Sequence, residues 1–302
     1  MLTEQQLEAR RAGLGGSDVA AILGMSPWRT PLDVWLEKTG QAQRPKETPA
    51  MYWGIVLEDT VANEYAKRTG YKIQRRNKIL AHKAYPVMRA LLDRVIISHP
   101  DGPGVLECKT ARHLSDEWGD AGTDNVPNPY LLQVAHYLAV TGYAWAELPV
   151  LFLANREFRI YRFHRDDELI QSLVELETQW WRDHIEANIP PDPTTTADLI
   201  KRYPRSNGTT AVASQEAVNA WQQLKEIKAQ ISELEKAKEK AENTLKKEMG
   251  EAETLSALSL GVLASWKAQT VKRLNQTRLK EERPEIYSRF SEVSEHRTLR
   301  IK

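Results

Sequence analysis

A single cysteine, Cys108, occurs among 302 residues. One thiol excludes an internal disulfide framework and fits a reducing compartment. Long apolar runs are missing too: nothing approaches the roughly 20 consecutive apolar residues a membrane helix needs. The N-terminus lacks the basic and apolar segments of a secretory leader. It begins instead with an acidic, glutamine-rich stretch, read as a helix over 3–12. These absences lead to the expectation of a cytoplasmic protein without a membrane partner. Neither sign of charge prevails, since 42 Lys and Arg against 41 Asp and Glu give a net charge of +1. A globally basic coat, the usual means of gripping duplex DNA, is therefore absent. Any polyanion has to be met by a local patch or through bound cations. Internal repeats and low-complexity tracts are also absent. The 41% hydrophobic and 27% charged content is that of a globular protein.

What is present centres on two apolar runs. Leu91-Leu92-Asp93-Arg94-Val95-Ile96-Ile97 and Val105-Leu106-Glu107-Cys108-Lys109-Thr110 flank a turn-forming segment, His99-Pro100-Asp101-Gly102-Pro103-Gly104. The pattern predicts a β-hairpin. Alternation along a strand puts Glu107 and Lys109 on one face, with Cys108 on the other as a core residue. Asp93 lies among apolar neighbours, where a charge is costly unless paired. An acid and an amine on one strand, opposite a second acid, can hold a divalent cation and position a water, as a metal-dependent nuclease requires. Magnesium takes oxygen ligands and needs only one or two carboxylates; Asp93, Glu107 and the Cys108 carbonyl are the candidates. Lys109 is the candidate for polarising the water or stabilising charge on the phosphate. Asp101 competes with Asp93, but its turn setting places it at the hairpin tip. The same residues also suit an ordinary salt-bridged hairpin.

Further residues join this set. Glu58 falls on an apolar stripe of a helix over 51–68, with Ile55, Ala62 and Tyr65; either a metal or a neighbouring Arg or Lys would satisfy it. Gln133 shares a face with Tyr130, His136 and Tyr137 on a helix that ends at Gly142. Arg10-Arg11-Ala12-Gly13-Leu14-Gly15-Gly16-Ser17-Asp18 leads into an apolar helix. That segment suits an anion meeting backbone N–H groups, or a simple N-cap by Ser17.

Together these blocks resemble the YqaJ-type viral recombinases, the lambda-exonuclease-like branch of the PD-(D/E)xK nucleases. The matching pieces are Arg11-x-Gly13-x-Gly15-Gly16-Ser17-Asp18, Ala20-Ala21-Ile22-Leu23-Gly24, Ser26-Pro27-Trp28, Thr30-Pro31-x-x-x-Trp35 and Gly54-x-x-x-Glu58. Asp93, Glu107-x-Lys109-Thr110 and Gln133-Val134-x-His136-Tyr137 follow in the family's order. The resemblance implies a restriction-endonuclease-like mixed sheet flanked by helices. It implies a magnesium-dependent enzyme, with manganese as the alternative ion and two ions at the site, that digests one strand of duplex DNA from its 5′ end. Asp93 and Glu107 would be metal ligands, Lys109 the water-activating residue, Glu58 and Gln133 supporting residues, and Arg11 and Ser17 the contacts of the terminal 5′-phosphate. A ring-shaped homo-oligomer, first of all a trimer, and a single-strand annealing protein are the implied partners. The chain departs from the family at Ala135, where many relatives have a second glutamine, and at Arg94, where a small residue is usual. An endonuclease or repair nuclease on the same scaffold, or a non-catalytic DNA-binding assembly protein, are the competing readings.

Along the chain, helices are expected near 17–23, 31–39, 49–69 and from Asn128. Strands are expected near 71–74, 78–81, 87–97, 104–111, 146–154 and 157–164, with a helix from Asp166 to Asn188 closing the unit. A Pro- and Thr-rich segment over 189–196 marks a boundary, giving a nuclease domain over 1–195 and a linker or packing segment over 196–213. A long amphipathic helix follows over 214–250, with Leu224, Ile227, Ile231 and Leu234 in its seam and Lys238 interrupting it. Residues 251–302 form a small basic module read as a hairpin over 255–269, a helix over 277–290 and a final strand over 298–302. Lys267, Lys272, Arg273, Arg278, Lys280 and Arg283 supply its charge, for DNA contact or for docking a partner.

Overall fold

The fold was obtained as a computed structural model that describes residues 8, 10–42, 47–293 and 297–301. The helix expected over 3–12 lies largely outside them. The chain divides into two compact units, residues 1–202 and 203–302.

The first unit is a mixed α/β structure. Its main sheet contains β2 (Ile73–Arg75), β5 (Arg94–Ile96), β6 (Gly104–Leu106), β7 (Lys109–Ala111), β8 (Trp145–Phe152) and β9 (Glu157–His164). β5 pairs antiparallel with β2 and β6, β6 and β7 run parallel to β8, and β9 closes the sheet antiparallel to β8. A small second sheet joins β1 (Leu14–Gly15), β4 (Met88–Ala90) and β3 (Leu80–Ala81). Helices cover both faces of the main sheet. On one, Val134 and Leu138 of α4 (Asn128–Thr141) pack on Val105, Leu148, Val150 and Phe152. On the other, Val61, Ala62 and Tyr65 of α3 (Pro49–Thr69) pack on Ile96, Leu106, Cys108 and Trp145. Alternation thus sends Val105 to the α4 face and Leu106 and Cys108 to the α3 face.

Two expected strands are each split. The run 87–97 becomes β4 and β5, which belong to different sheets. The change occurs at Asp93, whose side chain takes the Cys108 N–H at 2.9 Å. In the β5–β6 register, Arg94 opposite Leu106, that N–H would otherwise meet the Leu92 carbonyl. A side chain has displaced a backbone rung. The run 104–111 becomes β6 and β7, which keep one register against β8, Leu106 opposite Glu147 and Lys109 opposite Val150. The interruption faces Pro149. Glu107 donates its N–H to the Glu147 carbonyl at 3.1 Å, but the next rung needs an N–H that Pro149 lacks.

Helix α1 (Gly16–Ile22) lies directly against α4. A Cβ at Gly16 would sit 2.8 Å from the Tyr137 ring and 3.0 Å from Gln133 Cγ, so only glycine permits this approach. Helix α2 (Pro31–Lys38) is capped by Thr30, whose Oγ1 accepts the Asp33 N–H at 3.2 Å. The helix expected to Asn188 is α5 (Asp167–Trp180), continued by a π-helical turn over Trp181–Glu186. The unit does not stop at 195. Helix α6 (Thr196–Arg202) belongs to it: Asp198 is buried and accepts from the Thr30 hydroxyl at 2.8 Å, and Lys201 pairs with Asp33.

The second unit begins with irregular backbone and continues as α7 (Gln215–Met249), capped by Ser214. Its seam residues Ile227, Ile231 and Leu234 are exposed. A hairpin of β10 (Thr254–Ala257) and β11 (Gly261–Ser265) follows. The helix expected over 277–290 is two short ones, α8 (Gln276–Glu282) and α9 (Pro284–Arg289), divided where Pro284 starts a new first turn. Residues 298–301 form no strand, and Lys302 lies outside the described residues. Among the described residues no helix is long and apolar enough to cross a membrane.

Candidate active site

The strand carrying Glu107 and Lys109 turns both side chains toward α4, as the alternation requires. Lys109 Nζ lies 2.7 Å from Glu107 Oε1. From α4, Gln133 Nε2 donates to the same oxygen at 2.6 Å and also to the Tyr137 hydroxyl at 3.0 Å. The other oxygen, Glu107 Oε2, is buried with no hydrogen-bond partner among the described residues. An orphaned carboxylate oxygen in a protein interior is unusual and signals a missing partner.

Asp93 approaches from the start of β5 and shares two cavities with Glu107. One, of about 200 Å³, is lined by Gly13, Gly15, Gly16, Ser17 and Arg10. The other, of about 450 Å³, adds Glu58, Lys109, Trp28 and Tyr130. Burial first, and then the negative charge of Glu107, hold the Asp93 carboxyl well above the usual range. Burial also pulls Lys109 toward neutrality, but Glu107 and Asp93 outweigh it and keep the amine more firmly protonated than a free lysine. Cys108 faces the core. Burial and the two nearby acids raise its thiol pKa, which leaves it inert as a nucleophile.

The donor set fits a hard divalent cation. Two carboxylates face one cavity, and one of their oxygens lacks a partner. The Cys108 carbonyl leaves its strand on the same edge as the N–H that meets Asp93. Among the described residues no three His, Cys, Asp or Glu side chains are grouped so as to hold a metal ion by themselves. Water and substrate oxygens would complete the shell, as magnesium ordinarily accepts.

The remaining predicted residues fall around this centre. Glu58 reaches the cavity wall, but its carboxylate is held by Arg94 at 2.8 Å and Arg75 at 3.1 Å. The departure at Arg94 thereby acquires a physical role: the buried guanidinium clamps Glu58 and Asp59 of α3. Arg11 and Ser17 are exposed and line a third cavity, of about 710 Å³, together with Arg10, Arg29, Lys109 and Gln133. Ser17 is not the N-cap. That position is Gly15, whose N–H donates to Asp18 Oδ2 at 2.9 Å. Three arginines of the first unit whose charge would suit phosphate contacts, Arg29, Arg68 and Arg75, are already paired with carboxylates. Trp35 is core, its Nε1 donating to the His184 carbonyl at 3.0 Å.

Sequence reasoning missed the frame beneath the site. Asp18 is fully buried between Arg29 at 2.7 Å and Lys38 at 2.6 Å. Burial alone would raise its pKa; the two cations hold it far below the usual carboxylate range. Lys38 also donates to the Arg10 carbonyl at 2.9 Å, fixing the arginine segment. His136, read as part of a polar face, is buried and bridges Glu177 and the Arg89 carbonyl, both at 2.9 Å. A helical wheel had marked His136 only by its place beside Gln133.

A family model of the YqaJ-like viral recombinase domain matches residues 5–144, the span holding every predicted site residue. An uncharacterized protein YqaJ from Bacillus subtilis (strain 168) is 35% identical over 314 positions, covering 100% of this chain and 95% of that protein. The chain belongs to the YqaJ-like viral recombinase family. Among solved structures, LHK-Exo, an alkaline exonuclease from Laribacter hongkongensis, aligns with 66% of this YqaJ-like chain and 97% of its own, at 19% identity and a TM-score of 0.47. LHK-Exo in complex with dAMP gives 18% identity and a TM-score of 0.48 over the same shares. A phage related exonuclease from Haemophilus somnus 129PT aligns with 58% of this chain and 96% of its own, at 11% identity and a TM-score of 0.44.

Proposed function

We propose that this YqaJ-like protein is a divalent-cation-dependent nuclease that removes nucleotides from one strand of linear duplex DNA in the 5′-to-3′ direction, leaving a 3′ overhang for recombination. The observation that carries this reading is Glu107. One of its oxygens is fixed by Lys109 and Gln133, the other is buried without a partner among the described residues, and the residue lines a cavity shared with Asp93.

Asp93, Glu107 and the Cys108 carbonyl would hold magnesium, or manganese in its place, with two ions as the working number. When bound, the metal supplies Lewis-acid polarisation of the phosphate and a nucleophile at neutral pH. The protein's own residues do the rest. Gln133 keeps Glu107 in one orientation. Lys109, held protonated, places a positive charge where negative charge grows on the scissile phosphate. Glu58, clamped by Arg94, shapes the α3 wall. Arg11 and Ser17, on the wall of the cavity of about 710 Å³, would receive the terminal 5′-phosphate. The family likeness supports double-stranded DNA ends as substrate, a ring-shaped homo-oligomer (first a trimer), a single-strand annealing protein as partner, and action in the cytoplasm.

Digestion of end-labelled linear duplexes bearing 5′-phosphate or 5′-hydroxyl ends, with and without magnesium, tests the reading. Mononucleotides should leave the 5′-phosphorylated strand only when the ion is present. Cutting of covalently closed circles would move the assignment to an endonuclease, and no release with any divalent ion would remove catalysis altogether.

A further inference from the structure

An aromatic ladder runs from the core of the first unit to the mouth of the cleft. Trp118, buried, is braced by Phe152 and Tyr161 at ring separations of 5.2 and 5.4 Å. Tyr130 stacks on Trp118 at 5.3 Å and 28°. Trp28 ends the series, 6.1 Å from Tyr130 and 66% exposed. An indole with so much of its surface in water contributes little to folding.

Nevertheless the turn that presents it is fixed from two sides. The Ser26 hydroxyl accepts the N–H groups of Trp28 and Arg29 at 3.2 and 3.3 Å. The Arg29 guanidinium is in turn locked between Asp18 at 2.7 Å and Glu37 at 2.6 Å. Trp28 and Tyr130 wall the same cavity as Glu107 and Lys109, and the Lys109 ammonium lies 5.8 Å from the Tyr130 ring. The result is a flat, wetted π-surface, held in place beside the proposed reaction centre, with cations close by. A nucleobase suits such a surface: every base has a π-face, and aromatic side chains bind unpaired bases by stacking.

We infer that Trp28, backed by Tyr130, is a stacking platform for the unpaired nucleobase at the end of the strand being digested. This rests on the nuclease reading and adds a step to it. The terminal base pair opens before hydrolysis, and the freed base is held on the indole while its phosphate is positioned over Asp93 and Glu107. Trp28 is then a substrate-binding residue that acts on the base, independently of phosphate contacts.

Binding of linear duplexes is measured with calcium replacing magnesium, for wild type, Trp28→Ala and Trp28→Phe, on ends carrying a normal or an abasic 5′-terminal nucleotide. Trp28→Ala should weaken binding to the normal end by about five- to hundredfold, and Trp28→Phe should restore most of it. Removing the base should weaken the wild type by a similar factor yet leave Trp28→Ala unchanged, because the same stack is lost in both. A 2-aminopurine at the terminal position should be quenched by wild type and not by Trp28→Ala. Fully additive losses, or quenching retained without the indole, would overturn the platform. The nuclease reading fails separately, if wild type releases no nucleotides with magnesium or manganese.

Discussion

The backbone N–H of Cys108 donates to the Asp93 carboxylate at 2.9 Å. This bond ties the two halves of the hairpin at the point where both acids enter the cavity. It leaves the neighbouring side chains, Glu107 and Lys109, free to face α4.

Lys109 is the clearest test of the chemistry. Lys109→Ala should retain duplex binding and lose magnesium-dependent hydrolysis by about 10²–10³-fold, the usual effect of removing one charge-stabilising donor. Gel-shift titration alongside nucleotide release separates the two effects, and full activity in the variant would remove the proposed role.

Asp93 gives a pH signature in the cation-free protein. Its folded pKa is raised by burial and by Glu107. Its contribution to stability is thus complete below the unfolded value of 3.8 and is lost as pH rises through the folded value. Asp93→Asn should flatten that decline and stabilise the cation-free protein near neutral pH. Magnesium should raise the melting temperature of wild type and leave the variant nearly unchanged. Differential scanning calorimetry with and without the ion measures both.

Asp18 has the opposite sign. Despite burial, Lys38 and Arg29 hold its folded pKa far below 3.8. Its stabilisation is present above pH 3.8 and disappears as pH falls toward the folded value. Asp18→Asn should cost about 3–5 kcal/mol at neutral pH, because the buried Lys38 loses its counter-charge and the half-buried Arg29 keeps only Glu37. Urea denaturation at neutral and acidic pH should show the difference between wild type and variant narrowing on acidification.

The domain boundary is testable by truncation. A fragment ending at residue 202 keeps Asp198 and its bond to Thr30, whereas one ending at 195 loses both. The shorter fragment should be less stable by about 1–3 kcal/mol, read as a lower midpoint in denaturant.

Much of the site was legible because period-two alternation fixes a face before any fold is known. Glu107 and Lys109 had to point together and Cys108 away, and Gln133 followed from helical spacing. The split strands were not legible. Asp93 replaces a rung with its side chain, and the partner opposite Cys108 is Pro149, some forty positions along the chain. For residues 196–202 the sequence left a linker and a packing segment both open, because their anchoring depends on Asp198 and Lys201 meeting Thr30 and Asp33 across the fold. The buried Trp35 lies between Val34 and Leu36 and the exposed Trp28 between Pro27 and Arg29, so their burial was partly legible, but the ring contact of Trp28 with Tyr130, about a hundred positions away, was not.

Lys38 carries one consequence beyond its own burial. A single ammonium group joins Asp18, which secures the turn of Trp28 through Arg29, to the carbonyl of Arg10, which carries the arginine segment. The two walls of the cleft are therefore not separate modules. Substitutions on one should show epistasis with substitutions on the other, and variation along this lineage has to move both together.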